Sequence, residues 1–196
     1  ILKKNMSLFS DVYLSETFVG EVNETINATV HKKEGTGWIE VSSSDDTSVS
    51  VKTLPDVLDS SNLIFQHSKM VKIDTDGFDY RIIRGALTFL QKSKPVLFFE
   101  YDPFLLAMQG EDALSIFQFL AMLNYKHALI YENTGDLLIS ADIENTNLIS
   151  DVSSYFSGRN RERYCDICVF HDEDTDIFWS ARQNELDFFE QIRKSR

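Results

Sequence analysis

Two cysteines, two tryptophans and three prolines are all that 196 residues hold of those types, and basic residues are outnumbered 19 to 31. Each shortage excludes something. A net charge of −12 argues against nucleic acid or an anionic membrane as the main partner, because phosphate recognition needs a positive footprint. No apolar run reaches the roughly 18 residues of a membrane-spanning helix. Glycine is sparse, and the chain has no Gly-rich phosphate or cofactor loop. Its one G-x-G, Gly35-Thr36-Gly37, follows the polar His31-Lys32-Lys33-Glu34 and reads as a turn. There is no internal repeat and no low-complexity block.

The remaining composition is that of an ordinary globular chain, 43% hydrophobic and 26% charged. The length suits a single domain, taken here as residues 1–196, with enough chain for a real core.

The most informative stretch is Val71-Lys72-Ile73-Asp74-Thr75-Asp76-Gly77-Phe78-Asp79-Tyr80. A short apolar run ends in carboxylates and a glycine. Beyond it Ile82, Ile83, Ala86, Leu87 and Leu90 recur at helical spacing, with Arg81, Arg84 and Gln91 opposite. Lys94-Pro95 stops the helix, since proline disfavours helical geometry in the residue before it. Val96-Leu97-Phe98-Phe99-Glu100-Tyr101-Asp102-Pro103 reads as a second buried strand, again with an acidic end. Strand, helix and strand within about thirty residues form one βαβ unit, which implies two parallel strands and a right-handed crossover. Ligands of open α/β sheets bind beyond the carboxyl ends of the strands. Asp74 and Glu100 are therefore expected to line one cleft, with Asp102 at the end of the same strand facing it, while Asp79 reads as a favourable charge at the start of the helix.

The segment VKIDTDGFDYRIIRGALTFLQKSKPVLFFEYDP resembles the central signature of the FkbM family of S-adenosylmethionine-dependent methyltransferases. Lys72, Asp74, Gly77, Gly85, Ala86, Pro95 and Glu100 match that pattern. Asp76 and Asp79 stand where the family has Glu, and Thr75 where it has an aliphatic residue; the charge is kept and the reach shortened. Upstream, Val49 to Leu58 is similar to the strand and T-L-D-x-L segment before the signature. Ile1 to Asn5 resembles a helix end, and Tyr164 to His171 a final strand. The resemblance implies a Rossmann-like α/β fold, a mostly parallel sheet of order 3-2-1-4-5-7-6 with an antiparallel last strand. It places strands 3 to 7 in this chain. Strands 1 and 2 and the cofactor loop would precede Ile1, so the chain is expected to be the C-terminal portion of the domain.

Other elements follow from periodicity. Residues 11–19, 36–41 and 48–53 read as strands, with a loop at Ser42 to Asp46. Residues 111–124 read as an apolar helix, 126–132 and 136–140 as strands around Asn133-Thr134-Gly135, and 181–194 as a closing helix with Leu186, Phe189 and Ile192 inward. Residues 141–162 are polar and read as a loop or short helical insertion. Arg159, Arg161 and Arg163 form the one basic cluster, which reads as a solvated loop ahead of the alternative, a patch that meets an anionic substrate. Cys165 and Cys168 form a C-x-x-C on a strand, where side chains three apart face opposite ways; they should stay unpaired and reduced, as in a cytoplasmic protein. Asn23-Glu24-Thr25 and Asn27-Ala28-Thr29 match glycosylation acceptors by chance. His127 and His171 read as structural histidines.

Methyl transfer to a hydroxyl requires donor and acceptor in line and a base for the proton. On the resemblance, Asp74 and Glu100 are the catalytic candidates, and Asp74, Asp76 and Gly77 the cofactor-binding ones, with no metal. The cofactor implied is S-adenosylmethionine, and the acceptor a hydroxyl of a sugar or other small molecule or glycan. Two rivals differ in class: a non-catalytic binding or assembly module of the same fold, and another α/β enzyme that shares only the βαβ unit.

Overall fold

A computed structural model describes residues 12–33, 36–41, 47–61, 63–157 and 163–195. Ile1 to Asn5, the Ser42 to Asp46 loop, Gly35, Arg159 and Arg161 lie outside them. Two compact units emerge. One is built from the chain up to Ser68 together with Arg81–Phe89, the other from Lys69–Tyr80 and Leu90 onward.

The first unit holds a four-stranded sheet, β1 (Phe18–Val19), β2 (Glu24–Lys33), β3 (Thr36–Val41) and β4 (Thr47–Lys52), in the order β1-β4-β2-β3. β1 runs parallel to β4, and β2 antiparallel to both neighbours. The expected strand over 11–19 shrinks to two residues. Val12, Tyr13 and Leu14 are largely exposed, and without a buried face an apolar run has little reason to pair. β2 has no counterpart among the expected strands, although Ile26, Ala28 and Val30 alternate with Thr25, Asn27 and Thr29 at strand period. Its polar face carries the glycosylation-like patterns, which masks that alternation.

After β4 the chain enters α1 (Leu54–Asp59), capped at Thr53 with Pro55 in its first turn. The cap is a small network. Thr53 Oγ1 donates to Asp56 Oδ2 at 2.6 Å and Asn23 Nδ2 donates to the same oxygen at 2.7 Å. The Thr53 amide donates to Asn23 Oδ1 at 2.9 Å. These bonds hold the Asp56 carboxyl below its ordinary value, Thr53 first and Asn23 next. Asn23 thus sits in a cap, and its side chain is engaged on both ends.

The second unit carries β5 (Met70–Ile73), β6 (Val96–Tyr101) and the later elements. The crossover from β5 to β6 is two helices, α2 (Asp79–Gly85) and α3 (Leu87–Ser93), where one over 78–91 was expected. Ala86 makes a tighter bond to Ile83, three residues back, at 3.1 Å. α3 stops before Pro95, with Lys94 turned to φ 47°. Next come α4 (Pro103–Met108), α5 (Ser115–Met122), β7 (Tyr125–Glu132), β8 (Leu137–Asp142), α6 (Thr146–Phe156), β9 (Cys165–His171) and α7 (Thr175–Ser195). The eleven-residue α6 fills the stretch read as loop or short helical insertion. Asn145 caps it by accepting from the Leu148 amide at 3.3 Å. In α7, Leu186, Phe189 and Ile192 are half-buried.

The sheet order is β5-β6-β9-β7-β8. β5 and β6 pair in parallel, with Met70 opposite Val96 and Ile73 opposite Phe99. The pairings β6–β9, β7–β9 and β7–β8 are antiparallel. The expectation of a mostly parallel sheet is therefore corrected: among the described residues the sheet is mixed. The reason lies in two strands. β9 inserts antiparallel between β6 and β7, and β8 folds back on β7 through the Asn133-Thr134-Gly135 turn, where Gly135 takes φ 89°. β5, β6 and β7 share one direction.

One face of this sheet is dry. Leu97, Phe99, Tyr101, Ile130, Ile167 and Val169 on it are almost wholly buried. Tyr80 meets Phe99 edge-on at 6.4 Å between ring centroids, and Tyr101 meets Phe117 at 5.7 Å. Such pairs contribute about 0.5–1.5 kcal/mol beyond area burial. On the other face Leu129, Cys168 and Phe170 pack with Phe178 of α7.

Cys165 and Cys168 are free and buried, on opposite faces of β9. Burial raises both thiols, Cys168 to about 12. A thiol reagent should therefore react with neither in the native protein and with two groups once the unreduced chain is unfolded. Prompt native reaction, or no free group after unfolding, would contradict the strand placement.

Candidate active site

Register brings the acids together. Glu100 lies opposite Asp166 on β9. Asp74 is one residue past the last paired rung of β5, Ile73 with Phe99, so it stands level with Glu100. Asp74, Glu100 and Asp166 thus form a row across three strands at the carboxyl end of β5 and β6.

Asp74 is exposed, its side chain 61% accessible, and pairs with Lys72 Nζ at 2.8 Å. Asp74 is the first of the groups that raise the Lys72 ammonium, followed by Asp166 and Glu100. The chain then turns through Asp76 (φ 50°) and Gly77 (φ 94°). Asp76 tolerates the left-handed region as few side chains do, and the residue stays exposed to solvent. Gly77 is buried, and a Cβ there would sit 3.1 Å from the Leu105 backbone. Its position is dictated by this close approach and by its φ.

Asp79 opens α2. The sequence suggests only a favourable charge at a helix start, but the residue is 1% exposed. Its Oδ2 accepts from Thr75 Oγ1 at 3.0 Å, while Oδ1 has no hydrogen-bond partner. Burial raises its carboxyl above the ordinary value, against the lowering effect of Thr75 and nearby amides. Asp79 is the functional candidate that sequence reasoning passes over. A signal is available: Thr75, four residues earlier across the Asp76-Gly77 turn, supplies a hydroxyl that reaches its carboxyl.

Glu100 is 9% exposed, and Oε2 has no partner. Its carboxyl is raised to about 7, first by burial, then by Asp79, Asp76, Asp74 and Asp102. Leaving a buried acceptor unpaired costs about 1–3 kcal/mol. Strongly perturbed carboxyls of this kind concentrate at functional sites. Asp102, expected to face the same cleft, is committed elsewhere: its Oδ1 caps α4, accepting from the amides of Phe104 at 2.8 Å and Leu105 at 3.2 Å.

Two neighbours complete the row. Asp166 is half-buried and raised by burial, with Lys72 opposing. The Tyr164 phenol, one residue before β9 and two before Asp166, is raised by burial and then by Glu100, Asp166 and Asp74. Arg163 is turned onto α6, donating to the Tyr155 hydroxyl and lying over its ring at 5.6 Å. Among the described residues no group of three or more His, Cys, Asp or Glu is arranged to hold a metal, and no helix is long and apolar enough to cross a membrane. His171 is buried, with Nδ1 accepting from the Glu173 amide at 3.1 Å. His127 stacks on Phe178 at 4.6 Å.

No curated protein and no solved structure matches the chain. The sequence model of the methyltransferase FkbM domain matches residues 8–127, which include β5, the crossover, β6 and all the acids of the row except Asp166. With more than half its length matched, the chain belongs to the FkbM methyltransferase domain family.

Proposed function

We propose that this protein transfers a methyl group from S-adenosylmethionine to a hydroxyl of a sugar or other small molecule, with Glu100 as the base. The observation that carries the reading is the Glu100 carboxyl: buried, one oxygen unpaired, and raised to about 7. A general base works best with a pKa near the operating pH. The strand order also supports it: β5, β6, β9 and β7 follow one another as strands 4, 5, 7 and 6 would in a Rossmann-like methyltransferase.

S-adenosylmethionine is a sulfonium with an added ammonium, and a cation of that kind fits the acidic set. Asp74 and Asp76 would hold it, being exposed carboxylates at the strand tip. Gly77 shapes the turn that presents them. Bound there, the group supplies an electrophilic methyl. The chain's own residues do the rest. Glu100 accepts the proton of the acceptor hydroxyl at Oε2, and Asp79, buried nearby, keeps the carboxyl pair short of full ionisation. Lys72 fixes Asp74 by their 2.8 Å ion pair.

Isothermal titration with S-adenosylmethionine, followed by mass spectrometry of acceptors for a methyl gain, tests the reading. Asp74→Asn should weaken donor binding about tenfold, a change of about 1.4 kcal/mol. Donor binding without methyl gain in any acceptor would favour a binding module of the same fold. Unchanged affinity in Asp74→Asn would remove Asp74 from the site.

A further inference from the structure

We propose that the row Asp74–Glu100–Asp166, with the Tyr164 ring beside it, is the acceptor subsite, and that it takes an uncharged or amino-bearing hydroxyl-rich ring and turns away phosphorylated or carboxylated ones. The inference rests on the methyltransferase reading and adds the charge class of the acceptor.

Glu100 separates this row from a solvated acidic face. It is nine-tenths out of water, yet one oxygen has no partner. That oxygen is closed to solvent in the free protein; a hydroxyl donor brought to it by a local opening would complete its hydrogen bonding, whereas an anion would bring only repulsion. Asp166, half-buried on the next strand, offers a second carboxyl at the paired register position. Adjacent carboxyls suit adjacent hydroxyls, since an ionised carboxyl only accepts and each hydroxyl can donate. Tyr164 adds an aromatic face of the kind that packs on the apolar side of a ring.

Charge decides the exclusion. The charged groups that raise Glu100 are all acids, and Lys72, the ammonium that acts on the row, is paired with Asp74. Arg163 is held by Tyr155. Among the described residues, an anionic acceptor would therefore enter a field of its own sign.

Saturation-transfer NMR on the full chain tests this with four matched probes: a methyl glucoside, glucosamine, glucose 6-phosphate and glucuronate. The neutral and amino rings should saturate, and the two anions at least about tenfold more weakly, with the gap narrowing as salt rises. Asp166→Asn should narrow it as well, by about threefold, with the fold checked by thermal unfolding. An anionic ring that saturates as strongly as its neutral twin overturns the proposal, as does the absence of saturation for every ring. Methyl transfer to an anionic acceptor would sink the charge class and leave the methyltransferase reading standing. Ring binding without donor binding would do the reverse.

Discussion

Glu100→Gln should abolish most methyl transfer and, above neutral pH, leave a more stable protein. The two effects have one cause. As a base, the Glu100 carboxylate contributes on the order of 10²–10⁴-fold in rate, and an amide cannot take a proton. As a structural group, the same carboxyl is ionised only against burial and the fields of Asp79, Asp76 and Asp74. Its folded value, about 7, lies above the ordinary 4.5. The sign follows directly. Stability from this group is fully present below about pH 4.5 and is lost as pH rises through about 7, because the ionised form is the disfavoured one. The loss is roughly 3 kcal/mol. A glutamine side chain is neutral at every pH and keeps the shape, so the parent and variant unfolding curves should diverge between about pH 5 and 8. At about pH 8 the variant should melt several degrees higher. In the parent, turnover should rise with pH through about 7. Activity within about twofold of the parent would show that Glu100 is not the base, and parallel stability curves would show that it carries no buried ionisation.

Such a coupling of loss and gain, once measured, would mark Glu100 as a functional residue. A chain selected for stability alone would not keep Glu100 and Asp79 out of water with an oxygen unpaired on each. An uncharged amide in place of the Glu100 carboxyl would suit the core better.

Much of this is legible in the sequence, for identifiable reasons. β5, β6 and their parallel pairing follow from two apolar runs separated by a helix-period segment, a local pattern that tertiary context rarely overrides. Asp74 and Glu100 stand out because strand ends can be read from where the apolar run stops. Asp79 does not, since its importance lies in burial, and burial of a helix-start residue depends on what packs over it. Asp102 is misread for the converse reason: Pro103 after it signals a helix start, and a capping role fits the Asp-Pro pair. The sheet's direction is over-read. The antiparallel last strand and the strand pair around Asn133-Thr134-Gly135 are both legible, and the structure bears them out; with one parallel pairing, β5 with β6, beside three antiparallel ones in this sheet, they outweigh the expected parallel character. β2 escapes because Asn27 and Thr29 look like a surface signal, although Ala28 between them is fully buried.

Gly85→Ala should destabilise the first unit by about 3 kcal/mol while leaving the chemistry of the acidic row intact. The Gly-Ala pair at the end of α2 is one of the features shared with the family signature, and the structure supplies its physical basis. A Cβ on Gly85 would stand 2.3 Å from the Gly20 carbonyl oxygen, 2.8 Å from Glu21 Cα and 2.9 Å from the Glu21 carbonyl oxygen. All three are backbone atoms, so no rotamer change relieves the clash. The helix end must withdraw from the segment that follows β1. That segment is anchored on its far side by the Gly20 amide, which donates to the Lys52 carbonyl at 3.0 Å. It is also anchored by Glu21, whose Oε2 accepts from Arg84 Nε at 3.0 Å and Nη2 at 2.8 Å. Alanine favours the helix by up to about 1 kcal/mol over glycine, but overpacking against fixed backbone costs about 1–3 kcal/mol and sometimes more, and losing the Arg84–Glu21 geometry adds to it. Denaturant unfolding of the parent, Gly85→Ala and Glu21→Gln separates these contributions. Glu21→Gln, which removes the ion pair alone, should cost under about 1 kcal/mol. A Gly85→Ala chain as stable as the parent would mean that the helix and the Gly20–Glu21 segment do not approach as closely as the structure places them.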